Sequence, residues 1–291
     1  MDRSFRNRVW SAACAWLLFG MTGAGAVPSA SAEPVRFAVT ISESAEITFR
    51  KYQPLMDYLS RKTGRSFEVR PVKSYDDILA LMRSGEADAG VLGSIAGSEA
   101  LHHGLVVPAA RAEKGGLSTY RGYFIARKDG GAKKIEDLKG KIFDSNSGSA
   151  SVGRFFPRKM FKDRKLDFDT FFSKVTVSTK HDTVVYKVLN RDADCGTVKD
   201  GVFDKMAKAD ERVRNEIAIL ATSQKFPDGN VMFRKAAPAE LVKTTSMVLL
   251  GMEKDPEANE ALGAVGADRF IPSPAREYEP LTKAIASMGK K

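Results

Sequence analysis

Cysteine and histidine are both scarce in this chain of 291 residues, which has two cysteines and three histidines. Two cysteines cannot build a cysteine-rich zinc module or an iron–sulfur cluster. His102, His103 and His181 are too few and too scattered for a histidine-rich metal centre. Hydrophobic residues at 43% and charged residues at 28% exclude a disordered or collagen-like polymer. We therefore expect a globular protein with no metal and no cofactor.

The first 32 residues have the pattern of a cleaved secretory signal peptide. Three arginines precede an apolar stretch, and Ala30-Ser31-Ala32 supplies the small residues of a cleavage site. Glycines and Pro28 interrupt the apolar stretch before it reaches the ~20 residues that a membrane span needs. We expect export and cleavage after Ala32.

Cys195 is the cysteine that remains after this cleavage. An exported chain with one cysteine forms no internal disulfide, so its stability must come from a packed core. A free thiol is also a possible nucleophile, but no histidine lies near it in the sequence. The role of Cys195 stays open.

Short β-rich runs alternate with amphipathic helical stretches over the rest of the chain. The pattern predicts strands and helices in the order 35–41 (strand), 49–62 (helix), 67–72 (strand), 74–85 (helix) and 87–92 (strand). Such an alternation indicates a parallel sheet with right-handed crossovers. It resumes from 123 to 221 after a less regular zone, and the chain from Pro238 onward is mostly helical in pattern. Two α/β units joined more than once explain this order.

A cluster of serines precedes a helix predicted from about 151 to 161. Ser147, Ser149 and Ser151 would add hydroxyl donors at a helix N-terminus, where unpaired N–H groups and a partial positive charge already favour anions. The alternative is that one serine caps the helix and the others are solvated loop residues. Both interpretations remain open on the residues alone.

Further candidates stand at predicted strand ends and at the predicted crossing between the units. Ser94 follows one strand and Thr40 ends another, and strand ends are where α/β sheets bind ligands. Tyr120 and Tyr123 lie at the crossing, where they would wall a cleft. Positions in the core or the hinge are the alternative for both tyrosines.

Segments spread over nearly all of the exported chain, in the same order, carry the likeness to a known family. They are Lys51–Leu59, Ser74–Ile78, Gly85–Gly93, Tyr123–Asp129, Ile135–Lys141, Asp144 with Ser149–Gly153 and Pro157, His181, Asp194–Asp200, Asp268–Phe270 and Tyr278–Leu281. In these segments the chain resembles the periplasmic substrate-binding proteins of phosphate, phosphite and phosphonate ABC transporters, the PhnD-like family. The serine loop reads Ser-Ala-Ser-Val-Gly where the family commonly has Ser-Thr-Ser-Gly, so the serine that fills each role stays open.

The resemblance implies the α/β fold of a type II periplasmic binding protein. Such a protein has two lobes, each a mixed, mostly parallel sheet flanked by helices, with the ligand cleft between them. Lobe one is expected at 33–120 and 227–291, and lobe two at 121–226. The hinges are expected near 121–122 and 226–229, where glycine and proline residues suit hinge duty.

The resemblance also implies a function. A periplasmic receptor, expected to be a monomer and not an enzyme, would close over a small phosphorus oxyanion and deliver it to an inner-membrane ABC permease. His181 would donate to the oxyanion, and Asp194 would contact the non-anionic part of the ligand. A surface histidine and a turn aspartate are the alternatives.

Other functions remain as alternatives on the sequence. The same receptor would fit a role in ligand sensing for a sensor kinase, or in binding another small anion or an organic acid. A secreted enzyme needs a nucleophile–base pair, and Cys195 with His181 is the only pair available to name; no G-x-S-x-G, H-E-x-x-H or P-loop motif occurs. The net charge is +10, but the lysines form no stripe interleaved with aromatics, so we expect no nucleic-acid partner.

Overall fold

The computed structural model describes residues 33–41, 43–146 and 150–288. The predicted signal peptide, residues 1–32, and the candidates Ser147 and Ser149 lie outside this part of the chain. Within the described part, no helix is both long enough and apolar enough to cross a bilayer.

The strands and helices alternate over most of the described chain. The strands are β1 Val35–Thr40, β2 Phe67–Val72, β3 Ala89–Leu92, β4 Val106–Glu113, β5 Thr119–Tyr120, β6 Gly122–Arg127, β7 Ile142–Asn146, β8 Lys174–Ser178, β9 Cys195–Lys199, β10 Ile217–Thr222, β11 Phe226–Pro227, β12 Asn230–Arg234 and β13 Arg269–Ile271. The α-helices are α1 Ala45–Thr63, α2 Tyr75–Ser84, α3 Ser94–His102, α4 Phe156–Asp163, α5 Phe168–Phe171, α6 His181–Leu189, α7 Asp200–Ala209, α8 Glu211–Glu216, α9 Ala239–Gly251, α10 Asn259–Val265 and α11 Glu279–Met288. A π-helical segment, Ala150–Phe155, leads into α4, and short 3₁₀ turns lie at Lys128–Gly130, Ile135–Leu138, Met252–Lys254, Pro256–Ala258 and Ala275–Tyr278.

The first sheet draws its strands from both ends of the described chain. Its order is β13-β4-β12-β3-β1-β2. Strand β1 runs parallel to β2 and β3, as the alternation predicts, whereas β12 is antiparallel to β3 and β4. Because parallel strands end at the same edge of a sheet, Thr40, Tyr75 and Ser94 meet at one edge.

The second sheet repeats this arrangement with a different set of strands. Its order is β10-β6-β9-β7-β8. Strand β7 runs parallel to β8 and β9, and β6 is antiparallel to β9 and β10. The carboxyl ends of the parallel strands lead to the π-helical segment, to α6 and to α7, so Ser151, His181 and Lys199 stand at one edge.

A short ribbon carries the chain between the two sheets. Strand β5 pairs antiparallel with β11, and every strand of the second sheet lies between these two segments in the sequence. Strands β6 and β12, which follow the crossings, run antiparallel to both of their neighbours, as β4 also does, so both sheets are mixed. The expected hinges near 121–122 and 226–229 adjoin this ribbon. The division into lobes at these residues, and the bending there, stay predictions.

Local capping explains why the sequence predicts helix α2 but not helix α3. Helix α2, predicted from the sequence at 74–85, begins with a capping box between Ser74 and Asp77 and ends at Gly85 in the left-handed conformation. Helix α3, in the zone that looked irregular, starts at Gly93 with no side-chain cap and is rich in small residues. A Cβ atom at Gly97 would lie 2.9 Å from the terminal methyl of Met232, so a larger residue there would require this side chain to move.

Phenylalanine dominates the core beside the second sheet. The ring centroids of Phe143, Phe161, Phe168, Phe171 and Phe172 lie 4.9–5.4 Å apart in edge-to-face, tilted and stacked pairs. Leu281 of α11 is buried in the same cluster, and Ile95 of α3 packs against it. Helix α3, which packs on the first sheet, and α11, which packs on α3, therefore contribute to the core beside the second sheet. Below, the two halves of the fold are the parts built around the first and the second sheet.

A buried carboxylate joins three elements of the second half. Asp144 of β7 is fully buried and accepts hydrogen bonds from Thr176 and from Ser178, the latter at 2.6 Å. The ammonium of Lys187, on α6, lies 3.1 Å from the same carboxylate. A buried carboxylate needs such partners to offset its desolvation. Asp144 therefore fixes β8 and α6 against β7, and α6 carries His181.

We predict that Asp144→Ala lowers the free energy of unfolding by roughly 3 kcal/mol, because the donors of Thr176, Ser178 and Lys187 lose their acceptor. Urea denaturation of both proteins measures this difference. Asp192→Ala removes an exposed carboxylate with the same change in net charge and should stay within about 0.5 kcal/mol of the wild type. Equal losses in both variants would contradict the role assigned to Asp144.

Candidate functional site

A cavity of about 220 Å³ lies between the two sheets, at the edges where their parallel strands end. It is lined by Tyr75, Gly93, Ser94, Ile95, Ala96, Tyr120, Ser151, His181, Lys199 and Asp228. Four of the residues predicted from the sequence line it: Ser94, Tyr120, Ser151 and His181. They come from both sheets and from the ribbon between them. The cavity is smaller than the roughly 300–1,000 Å³ typical of drug-sized ligands, which suits a small solute.

Helices α3 and α6 both begin at this cavity, from opposite halves of the fold. Neither N-cap residue, Gly93 for α3 or Lys180 for α6, supplies a side-chain acceptor. Helices α1 and α2, by contrast, are capped by the hydroxyls of Ser44 and Ser74. Uncapped N-termini keep unpaired N–H groups and a partial positive charge. The cavity therefore lies at the start of α3, which has no acidic residue in its first turn, and at the start of α6, where Asp182 already supplies a carboxylate.

Backbone N–H groups at these two helix ends are candidate donors to an anion in the cavity. At α3, Gly97 is the first residue whose N–H bonds back to Gly93, so the N–H groups of the lining residues 94–96 precede the helical ladder. At α6, the Asp182 carboxylate accepts from the N–H of Thr183 at 2.7 Å, and the first turn begins with the N–H of His181. An oxyanion that enters the cavity replaces its lost water with such donors.

Three hydroxyl groups form a chain along the cavity wall. Ser94 Oγ donates to the Pro227 carbonyl at 2.5 Å, and it lies 2.9 Å from Tyr120 Oη. Tyr120 Oη in turn lies 2.5 Å from Ser151 Oγ. Because a carbonyl only accepts, the Ser94 proton is used there, so Tyr120 donates to Ser94 and accepts from Ser151. All three side chains are buried, and together they link both halves of the fold through the ribbon.

The phenol of Tyr120 stays protonated at physiological pH. Burial raises its pKa to about 12, against the lowering effect of its hydrogen bonds to Ser151 and Ser94. Phe226 packs beside the ring at 5.5 Å between centroids. Tyr120 therefore contributes a neutral hydroxyl in a fixed position.

The His181 imidazole is neutral and its tautomer is fixed. The backbone N–H of Lys199 donates to Nδ1 at 3.4 Å, so the ring proton sits on Nε2. Burial lowers the pKa of His181 to about 4, and the charge of Lys199 adds to this effect. Because His181 lines the cavity, Nε2–H is the donor that it offers to a ligand.

The opposite charges of the cavity belong to Lys199 and Asp228. Lys199 Nζ lies 2.5 Å from Asp228 Oδ2 and 4.1 Å from the centroid of the Tyr120 ring. The two side chains are 30% and 50% exposed, so water reaches this pair. The formal side-chain charge of the cavity lining is thus balanced.

Tyr75 completes the wall on the side of the first sheet. A Cβ atom at Gly93 would lie 2.8 Å from the Tyr75 ring, so glycine is needed for the ring to lie against the start of α3. The Tyr75 side chain is hydrogen-bonded to Thr40, and burial raises the pKa of its phenol. The predicted candidate Thr40 therefore acts on the cavity through Tyr75 and does not line it.

Asp194 and Tyr123 lie away from this cavity. Asp194 precedes β9, and its carboxylate accepts from the Ile142 N–H at 2.8 Å at the start of β7, the opposite end of the strands from Lys199. The ring of Tyr123 packs edge-to-face on Phe203, with centroids 5.8 Å apart. Neither residue is among those that line the cavity.

Cys195 is far from the histidine with which it was paired as a possible catalytic group. It is fully buried at the start of β9, and burial raises the pKa of its thiol. His181 contacts Lys199 at the other end of this strand, and four residues of strand span roughly 13 Å. A buried, protonated thiol at that separation does not form a nucleophile–base pair.

Sequence reasoning did not select three of the polar cavity residues: Tyr75, Lys199 and Asp228. Tyr75 and Lys199 lie in segments that carry the family likeness, and Asp228 lies in the expected hinge at 226–229. The available signal was their position directly after strands, since the strand ends of α/β sheets form the binding edge.

A larger cavity of about 740 Å³ lies among α2, α3 and α11. Its lining includes Arg83, His102 and Arg154 but none of the residues predicted as ligand contacts. Its α3 residues begin at Ser98, beyond the first turn of that helix, and its residue from the first turn of α2, Asp76, carries a carboxylate. We therefore take the smaller cavity as the candidate functional site.

Comparison with known proteins places the chain among binding proteins of transporters. The model of a family described as "ABC transporter, phosphonate, periplasmic substrate-binding protein" matches residues 37–278. This match confirms the resemblance that the sequence segments carry.

Solved structures share the fold at low sequence identity. XAC2383 from Xanthomonas citri, bound to ATP, is 20% identical, with 88% of this chain and 98% of that chain covered and a TM-score of 0.73. PhnD1 from Prochlorococcus marinus, in complex with methylphosphonate, is 16% identical, with 88% and 98% covered and a TM-score of 0.68. PA3383 of Pseudomonas aeruginosa, a binding protein component of an ABC phosphonate transporter, is 19% identical, with 87% and 88% covered and a TM-score of 0.64. These likenesses confirm the fold class predicted from the sequence, a two-lobed type II periplasmic binding protein.

We predict that His181 makes the stability of the protein depend on acid. Its pKa is about 4 in the folded chain and 6.5 ordinarily, so between these values only the unfolded chain takes up the proton. Stability should therefore fall as the pH drops from about 6.5 to about 4, by about 1–3 kcal/mol from this residue.

The comparison variant is His181→Asn, which keeps an acceptor for the Lys199 N–H but does not titrate. Urea denaturation at several pH values should give the variant a flatter profile than the wild type. His103→Asn removes an exposed histidine and is the matched control. Parallel profiles for wild type and His181→Asn would contradict the buried neutral imidazole.

Proposed function

Since the chain belongs to the family of periplasmic substrate-binding proteins of phosphonate ABC transporters, we propose that it binds a small phosphorus oxyanion in the periplasm and delivers it to an inner-membrane permease. The ligand is a phosphonate, phosphite or phosphate. The observation that carries this proposal is the convergence of the N-termini of α3 and α6, neither of which has an N-cap side-chain acceptor, on one cavity of about 220 Å³.

The donors around the cavity suit an oxyanion with several oxygens. Backbone N–H groups of α3 and α6, His181 Nε2–H and the Lys199 ammonium are contributed from different directions. Hydrogen bonds to an ionised acceptor are roughly twice as strong as neutral ones, so each donor supports binding of the anion. In the proposed complex, one hydroxyl of the Ser94–Tyr120–Ser151 chain would turn from its present acceptor and donate to the ligand.

The size of the cavity favours a small ligand over a nucleotide. The Xanthomonas citri protein was solved with ATP and the Prochlorococcus marinus protein with methylphosphonate. A space of about 220 Å³ suits the latter kind of molecule. We therefore take methylphosphonate as the first probe.

Binding would act through closure of the two halves. Ser94 belongs to one half, Ser151 to the other, and Tyr120 to the ribbon that joins them. A ligand that contacts both halves binds the closed form better than the open one and shifts the population toward it. The closed monomer would then be the form that the permease recognises, with no covalent step.

The first test is calorimetric titration of phosphate, phosphite, methylphosphonate and 2-aminoethylphosphonate into the purified protein. We expect saturable binding of at least one of them with a stoichiometry of one to one, and recovery of the ligand unchanged. Turnover of a ligand would favour an enzyme, and no binding of any of the four would reject the proposed function.

The second test removes one hydroxyl of the cavity. Ser151→Ala should weaken binding of the anion by about 1–3 kcal/mol, because a ligand oxygen and the Tyr120 hydroxyl each lose a partner. Ser246→Ala, which removes a serine hydroxyl bonded within α9, is the control and should bind as the wild type does. An unchanged affinity for Ser151→Ala would move the serine contact to Ser147 or Ser149, or away from this loop.

A further inference from the structure

The ion pair between Lys199 and Asp228 joins the two halves of the fold at the cavity. Lys199 ends β9 of the second sheet, whereas Asp228 follows β11, where its N–H bonds to the Ser118 carbonyl at 3.0 Å. Their charged atoms lie 2.5 Å apart, and both residues line the cavity. Among the described residues that line the cavity, Lys199 is the one lysine, and a carboxylate of the protein already occupies it.

The position of Lys199 is fixed from several sides. Its ammonium lies 4.1 Å from the centroid of the Tyr120 ring, and its backbone N–H bonds to His181. Tyr120 is held in turn by Ser94 and Ser151. The ammonium thus lies between an aromatic ring and a carboxylate, beside the groups that would contact a ligand.

We propose that Asp228 sets the charge selectivity of the cleft, an inference that rests on the proposed function. Entry of an anion exchanges the partner of Lys199: the ligand oxygen replaces the Asp228 carboxylate at the ammonium. Asp228 stays in the wall of the cavity after this exchange. It therefore opposes a bound anion more strongly as the negative charge of that anion rises.

Electrostatics gives this effect a sign and an order of magnitude. The repulsion between Asp228 and the ligand scales with the ligand charge, and the half-exposed carboxylate is screened by water. The helix ends attract every anion, whereas the Asp228 carboxylate repels the more highly charged anions most. Removing its charge should strengthen binding of every anion, and of dianions most.

The experiment compares the wild type with Asp228→Asn, using methylphosphonate in calorimetry at mildly acidic and at alkaline pH. The ligand is a monoanion in the former and a dianion in the latter. We expect the variant to bind roughly fivefold more tightly in mild acid and roughly twentyfold more tightly in alkali. Asparagine preserves the shape of the side chain and suits the same turn before Gly229. Phosphite and phosphate, which titrate in the same way, serve as further probes.

Two further proteins separate this effect from general charge and from folding. Asp192→Asn makes the same change in net charge at an exposed site away from the cavity and should change the affinity less than twofold. Lys199→Gln should weaken binding, and adding Asp228→Asn to it should give a smaller gain than Asp228→Asn gives alone, because no partner remains to be exchanged.

The outcomes are distinct. A gain in Asp228→Asn that grows with ligand charge and shrinks in the Lys199→Gln background supports the proposal. Equal or weaker binding by Asp228→Asn overturns it, and weaker binding would make Asp228 a direct acceptor for a proton of the ligand. If neither protein binds any of these anions, the proposed function itself fails and the exchange fails with it.

Discussion

In the proposed function, dehydration of a small anion is the constraint on which binding in the cleft depends. An oxyanion gives up strong hydrogen bonds to water on entry, and only fixed donors repay them. The start of α3 provides such donors because no N-cap side chain occupies it, whereas Ser44 and Ser74 close the ends of α1 and α2. At α6 the Asp182 carboxylate accepts from the Thr183 N–H, so the N–H of His181 is the donor that begins this helix. The N-cap hydrogen bonds stabilise α1 and α2. Helices α3 and α6, which meet at the cavity, lack this stabilisation.

Burial keeps the remaining polar groups of the cleft neutral. The raised pKa of Tyr120 and the lowered pKa of His181 have the same cause, which is that a charge without water is costly. The neutral groups of the wall orient a ligand through their hydrogen bonds and add no net charge to the cavity. The charge of the site is then decided by Lys199 and Asp228, the more exposed pair, where the cost of desolvation is lower.

The sequence predicted most of the fold because its local signals agree with one another. The capping box of α2 and the alternation around β1, β2 and β3 gave the elements that bring Ser94 to a strand end. Helix α3 was not predicted, because Gly93 gives no capping signal. The close contact of its Gly97 with Met232 is tertiary, so no local pattern shows it. Asp194 was selected for its motif although it sits at the start of β9, and the cavity instead receives Lys199 from the end of the same strand. Asp228 pairs with a residue 29 positions away, which no local pattern reports.

The ribbon between the sheets connects the chemistry of the cleft to its mechanics. Tyr120 lies on β5, Pro227 on β11, and the hydroxyl chain runs through both from Ser94 to Ser151. In the proposed mechanism, a ligand that accepts a hydrogen bond from one hydroxyl of this chain changes the hydrogen bonds of the ribbon about which the halves would turn. Binding and closure then share the same few atoms, because the segment that would bend is also a wall of the site. Such sharing allows a ligand of only a few atoms to bias the arrangement of two whole lobes.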